Sequence, residues 1–325
     1  MDALSQVLRS LRLRGSFYAV WDVAGPWGLG FRPSRAAPFH YVESGTMWVV
    51  TDDGRQHELA AGDMLVLFDG AGHAIADRPD RKAPPIEQVM AALPDGWTHR
   101  HGGAGAPGRL VCGKFAIDER DSGPASLREL PPVVHLRGAR DGLAPILALL
   151  VEELRGGAAG AERAAALLTE ALLIRVLREV LDAGGPTGPG WIEGLRDPQI
   201  AAALAEIHAR PETAWSLARL AQLAGLSRSV FAERFHARVG ASPMAYLARW
   251  RLQLAARWLR ETALTVSEVL DRLGYASPAA FHRAFKREHG LAPTAYRRVH
   301  AAPASAAPSA DASLEWRPPH ARRRG

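Results

Sequence analysis

The stretch LAQLAGLSRSVFAERFHARVGASPMAY, residues 220–246, is answered by VLDRLGYASPAAFHRAFKREHGLAPTAY, residues 269–296. Ser227, Phe231, Phe235, Gly240, Pro243 and Tyr246 recur as Ser277, Phe281, Phe285, Gly290, Pro293 and Tyr296, at an offset of 50 residues. Upstream, Leu220-Ala221 and Gly225 recur as Val269-Leu270 and Gly274 at an offset of 49, so the second turn holds one extra residue. Each copy reads as a short apolar helix, a glycine turn and a second helix capped by serine. That is a helix-turn-helix, present twice. A solenoid needs more repeats than two to bury a continuous core.

Helical geometry assigns the faces. At about 100° per residue, Phe231 and Phe235 lie roughly 40° apart and mark the buried stripe. Opposite them stand Ser229 and Glu233, flanked by His236 and Ala232. The second copy, turned the same way, presents Ala279, His282, Arg283 and Lys286. Side chains facing outward from the second helix are the ones that enter a major groove. Arg283 suits a bidentate contact to guanine, and Lys286 and Arg287 suit phosphate or base contacts. Ser229 and Ala232 read bases weakly. Glu233 either accepts from a cytosine amino group or pairs with a neighbouring arginine. Arg234, nearer the buried stripe, is expected to pack its stem or pair locally.

Between the copies, Ser242 reads as an N-cap and Pro243 as the first residue of a helix running to about Arg260. Roughly 18 residues at about 1.5 Å each span about 27 Å. With the bodies of the two copies added, a separation near one turn of duplex, about 34 Å, is feasible. Arg249, Arg251, Arg257 and Arg260 decorate this helix, and one or two of them are expected to touch a nucleic-acid backbone.

Charge agrees with this placement. The 325 residues carry a net charge of +6, but residues 201–300 hold 15 Lys+Arg against 7 Asp+Glu, whereas residues 1–200 hold 21 against 25. An acidic front and a basic back point the back towards a polyanion. Arginine outnumbers the three lysines, Lys82, Lys114 and Lys286, as a GC-rich coding sequence would give, yet codon usage does not explain the change of sign. The single cysteine, Cys112, excludes a disulfide framework and a four-cysteine zinc site. No apolar run approaches the roughly 18 residues of a membrane span. The N-terminus has no apolar signal region, and a cytoplasmic location is expected.

The first 120 residues read as short strands, among them Tyr41–Val42, Met47–Val50 and Met64–Phe68, parted by turns at Gly45, Asp52-Asp53-Gly54, Gly62-Asp63 and Asp69-Gly70. Such spacing indicates a barrel or sandwich. Residues 81–109 read as a long loop around a poorly defined helix, before a strand at Leu110–Ile117. Leu143, Ile146, Leu147, Leu150 and Leu154 fall at helical spacing, as do Leu167, Leu168, Leu172, Ile174, Leu177 and Leu181. These two helices either cover the barrel or pair with a second copy. Expected boundaries are a sensor at 1–130, a helical packing or dimerisation segment at 131–183 and a linker at 184–196. The reader follows at 197–300, with a disordered tail at 301–325.

Residues 197–300 resemble the DNA-binding domain of the AraC/XylS family of bacterial transcription regulators. The signature is Leu220-Ala221, Gly225, Ser227, Phe231, Phe235 and Gly240-x-Ser242-Pro243, then Gly274-Tyr275-x-Ser277, Phe281-x-Arg283-x-Phe285-Lys286, Gly290, Pro293 and Tyr296-Arg297. The resemblance implies two recognition helices in successive major grooves, joined by a rigid helix. Glu233 departs from it, since a basic residue is frequent there. The front half resembles the cupin-type sensor found in part of that family: Gly62-x5-Phe68-x-Gly70-x2-His73 is similar to the second cupin motif, with Phe68 in place of proline, and Pro38-x-His40 stands where metal-binding cupins have two histidines. His40, Glu43, His73 and Cys112 are the candidate ligand-binding residues, with no bound metal and no cofactor expected.

The fold class expected is therefore a multidomain α+β chain: a cupin-like β-barrel followed by helices, then an all-α tandem helix-turn-helix domain. The function expected is a one-component, sequence-specific transcription regulator rather than an enzyme. Its expected partners are double-stranded promoter DNA, RNA polymerase, a small-molecule effector and a second copy of itself. Two alternatives stand beside it: a metal-dependent cupin enzyme carried on a DNA anchor, and an architectural protein that bends DNA without promoter selectivity.

Overall fold

Period-two alternation builds the front of the chain; in strand Thr46–Thr51, Met47, Val49 and Thr51 turn inward while Trp48 and Val50 are half-buried. The structure, a computed structural model, describes residues 3–10, 13–93, 96–117, 130–138, 142–156, 158–183, 188–275 and 277–300. Its strands are β1 (Leu13–Ala24), β2 (Gly28–Phe31), β3 (Ala37–Ser44), β4 (Thr46–Thr51), β5 (Gln56–Ala60), β6 (Met64–Leu67), β7 (His73–Ala76), β8 (Thr98–Gly102), β9 (Pro107–Ile117) and β10 (Val133–Leu136). They form a six-stranded sheet, β10-β6-β3-β9-β1-β8, and a four-stranded sheet, β2-β7-β4-β5. β1 and β8 pair in parallel, while β3 runs antiparallel to both β6 and β9. Trp21, Leu29, Val42, Met47, Leu65 and Ile75 lie in the core enclosed by these sheets.

Helices α3 (Leu143–Gly156) and α4 (Ala161–Asp182) pack on each other, and α4 also packs on β1. Within this chain α4 therefore covers β1, with α3 packed against α4. Leu149 and Leu167 remain about half exposed on the pair.

Two departures from the sequence reading concern the front. The stretch 81–109, expected as a loop around an ill-defined helix, holds a definite short helix, α2 (Ile86–Ala91), and also β8. The strand was missed because Thr98-His-Arg-His-Gly102 carries no aliphatic residue, and its pairing to β1 comes from the tertiary fold. The chain also opens with a helix, α1 (Ala3–Ser10), within a region expected to be β; Val7 and Leu8 are buried.

The remaining helices form a second compact unit together with α1, which packs on α6. They are α5 (Trp191–Arg196), α6 (Pro198–Ala209), α7 (Leu217–Leu223), α8 (Arg228–Val239), α9 (Pro243–Glu261), α10 (Val266–Arg272), α11 (Pro278–His289) and α12 (Pro293–His300). α5 lies where a linker was expected, its Trp191 fully buried; glycines and prolines just upstream masked it. α9 closely follows the expected bounds. Phe231, Phe235, Phe281 and Phe285 are fully buried in one core with Leu220, Tyr246 and Trp250. Each buried aromatic contributes about 1.5–3 kcal/mol. The expected tail, with Arg322, Arg323 and Arg324, lies outside the described residues, as do 184–187 of the expected linker.

Candidate nucleic-acid interface and sensor cluster

The serine caps act as the repeat predicts. Ser227 Oγ accepts from the Val230 amide at 3.4 Å to open α8, and Ser277 Oγ accepts from the Ala280 amide at 3.3 Å to open α11. Both helices end on a left-handed glycine, Gly240 or Gly290, each at φ 77°. With the phenylalanines inward, Ser229, Glu233 and His236 are exposed on α8, and Ala279, His282, Arg283, Lys286 and Arg287 on α11. Ala232 is half-buried, because it sits on the flank of the buried stripe. Arg228, which the sequence reading did not single out, is also exposed in the first turn of α8.

The two outward faces differ in charge because Glu233 and His236 stand where α11 has Arg283 and Lys286; the arginines on the inner flank of α8 are held in ion pairs. Arg234 turns back, its Nε 2.5 Å from Asp197 Oδ2 and its Nη1 2.7 Å from Gln199 Oε1. Arg238 pairs with Glu193, which also holds Arg196 at 2.9 Å. Burial raises the Glu193 carboxyl, but the two guanidinium partners outweigh it and hold it below its ordinary value. Both interior-flank arginines of α8 are thus spent on carboxylates of α5 and the α6 cap. Glu233 itself has no ion pair among the described residues, so the alternative of a local salt bridge is not realised. On α11, Arg283, Lys286 and Arg287 are exposed and unpaired among the described residues.

Of the four α9 arginines, of which one or two were expected at a backbone, two are engaged within the unit. Arg260 is buried and donates from Nη1 to the Tyr296 hydroxyl at 3.0 Å, and Arg251 donates to two backbone carbonyls. Neither is free to touch a duplex. Arg249 is half exposed, its Nε 4.0 Å from Glu288 Oε1.

In the β unit, three of the four candidate ligand-binding residues meet across the two sheets. His40 on β3 faces Cys112 on β9 in direct register, and His73 opens β7 of the other sheet. His73 Nδ1 lies 2.9 Å from the Ala71 carbonyl and therefore donates to it. A neutral His73 then offers Nε2 as an acceptor, so His40 Nε2 donates across 2.8 Å, and His40 Nδ1 accepts the Cys112 thiol proton at 3.1 Å. Burial lowers both imidazoles, His40 additionally through His73, and burial raises the thiol; all three are neutral. Phe31 stacks on His73 with ring centroids 4.8 Å apart.

The donors do not converge on one point, because Cys112 and His73 occupy opposite nitrogens of His40. Among the described residues no group of three or more His, Cys, Asp or Glu is placed to hold a metal ion. Glu43, expected with this set, belongs elsewhere: it is three residues past His40, on the other face of β3, with Oε2 3.6 Å from Arg109 Nε. Among the described residues a metal-dependent cupin reaction therefore has no fitting donor set. Among the described residues no helix is long and apolar enough to cross a membrane.

Comparison with known proteins finds relatives for both halves of the chain. Residues 2–182 match the family described as Cupin, and residues 220–299 match the helix-turn-helix domain family. A protein of Streptomyces lividans described as an AraC-like transcription regulator is 34% identical over 304 residues, covering 92% of this chain and 98% of the relative. The HTH-type transcriptional regulator AlkR of Acinetobacter baylyi is 27% identical over 312 residues, covering 92% and 99%. The crystal structure of the AdpA DNA-binding domain with a target DNA is 32% identical and covers 32% of this chain and 92% of that one, with a TM-score of 0.30. The chain belongs to the AraC-like transcription regulators, in the group that carries an N-terminal cupin domain.

Proposed function

We propose that this chain is a one-component regulator that binds promoter DNA through α8 and α11 and is modulated through its cupin domain. The observation that carries the reading is the set of exposed cations Arg283, Lys286 and Arg287, unpaired among the described residues, on a serine-capped second helix. Such a face makes guanine and phosphate contacts at a duplex. A small-molecule effector acting on the β unit and contact with RNA polymerase belong to the same reading. So does self-association through residues 131–183, for which the half-exposed Leu149 and Leu167 offer apolar surface. An effector shifts activity only through unequal affinity for two conformations.

Genome-wide mapping of bound sites tests this. Discrete peaks in a few promoters are expected, and the genes beside them name the effector class to be tried. Uniform occupancy without peaks contradicts promoter selectivity and favours an architectural role. Sedimentation of the purified chain tests the dimer: a monomer mass rejects it.

A further inference from the structure

Two readers of DNA bind as one only if their separation is fixed, because a displaced helix meets its groove out of phase. Length of α9 alone does not fix rotation about its axis. A second connection is needed, and one is present.

Arg251 projects from the middle of α9. Its Nε donates to the Pro211 carbonyl at 2.7 Å and its Nη2 to the Thr213 carbonyl at 2.8 Å. Those carbonyls lie in the segment leading to Ser216, the N-cap of α7, where the first helix-turn-helix begins. The same guanidinium sits 5.7 Å over the ring of Tyr275, in the turn of the second helix-turn-helix. Tyr275 in turn meets Phe281 of α11 edge-on, with ring centroids 5.0 Å apart. One side chain therefore touches the entry of the first reader and, through one aromatic ring, the second recognition helix.

The backbone closes the same joint. Gly274 adopts φ +65°, and a Cβ there would stand 2.1 Å from the Glu212 carbonyl oxygen. The turn of the second reader is thus pressed against the residue between the two carbonyls that Arg251 holds. Only a planar fork with several donors spans two carbonyls while stacking on a ring.

We propose that Arg251 is a positioning residue that sets the spacing and rotation of α11 relative to α8, and thereby the distance between the two base blocks the chain accepts. The inference rests on the DNA-binding reading above. Its test is an anisotropy titration of the full chain on a duplex selected from a randomised pool, and on versions with one or two base pairs inserted between the blocks. One inserted pair rotates the second block by roughly 34° and moves it about 3.4 Å. For the wild type the insertion weakens binding by about tenfold or more, the size of a mismatch. For Arg251→Ala the penalty falls to about threefold or less, with an unchanged salt slope. Gly274→Ala is expected to flatten the spacing profile likewise.

An intact spacing profile with a salt slope lowered by about 0.9 makes Arg251 a phosphate contact and overturns the proposal. An intact profile with uniformly weaker binding leaves it a stability residue only, and also overturns it. If Arg251→Ala does not fold, Arg251→Lys carries the test, since it keeps charge and stem but loses the fork. A wild-type chain that selects no duplex refutes the DNA-binding reading itself, a result separable from the others.

Discussion

Asp197 serves two helices at once: Oδ1 accepts the Gln199 and Ile200 amides that open α6, while Oδ2 holds Arg234 of α8 at 2.5 Å. The carboxylate is almost fully buried and Arg234 is partly exposed. The arrangement docks the first recognition helix on α6 through its inner flank.

Removing Arg234 therefore leaves a buried carboxylate short of one charged partner. Arg234→Ala is expected to cost about 1.5–3 kcal/mol in a denaturant titration. Asp197→Asn keeps the cap and is expected to cost less than Asp197→Ala, which also loses about 1 kcal/mol of capping. Equal stability of all three variants and the wild type contradicts the docking role.

The outward cations divide by chemistry. Arg283→Ala is expected to cost about 1–3 kcal/mol and to relax preference at one base pair, whereas Lys286→Ala weakens all sequences alike and lowers the salt slope by about one. Glu233→Arg, adding a cation to the poorer face, is expected to steepen that slope by about 0.9. Anisotropy titrations at several salt concentrations on matched and single-substituted duplexes measure each effect. A preference unmoved by Arg283→Ala removes that residue from base readout.

His208 is buried against the Tyr246 hydroxyl at 2.8 Å and the Trp250 ring, and burial pushes its pKa down to about 3 from the ordinary 6.5. Between those values the unfolded chain binds the proton and the folded one does not. Stability is thus fully present above about pH 6.5 and falls with pH at about 1.4 kcal/mol per unit below it. His40 and His73 act in the same direction. His208→Gln, which preserves a partner for Tyr246, is expected to reduce the slope by that single-group amount. An unaltered slope in urea titrations between pH 7 and 5 would falsify the assignment.

How much of this was legible without coordinates depended on whether neighbours in sequence carried the signal. The two readers were, because Ser227 and Ser277, Phe231 and Phe281, and the capping glycines act within a few residues of one another. So was the outward set on α8 and α11, Ala232 excepted, which follows from helical period alone. Which of the four α9 arginines are engaged inside the unit was not legible, because the acceptors of Arg251 and Arg260 lie 36–40 residues away. Glu43, a possible addition to the set under the cupin resemblance, is separated from His40 by strand alternation. The meeting of His40, His73 and Cys112 required the pairing of β3 with β9 and the facing of two sheets. No spacing in the chain specifies that.

The central claim is sequence-specific duplex binding in which α11 contributes more of the base readout than α8. Selection from a randomised duplex pool, followed by sequencing, measures it most directly. The account predicts two enriched blocks about one helical turn, roughly 10 base pairs, apart, with the richer block lost in Arg283→Ala. No enrichment over the starting pool, or a richer block that survives Arg283→Ala, would contradict it.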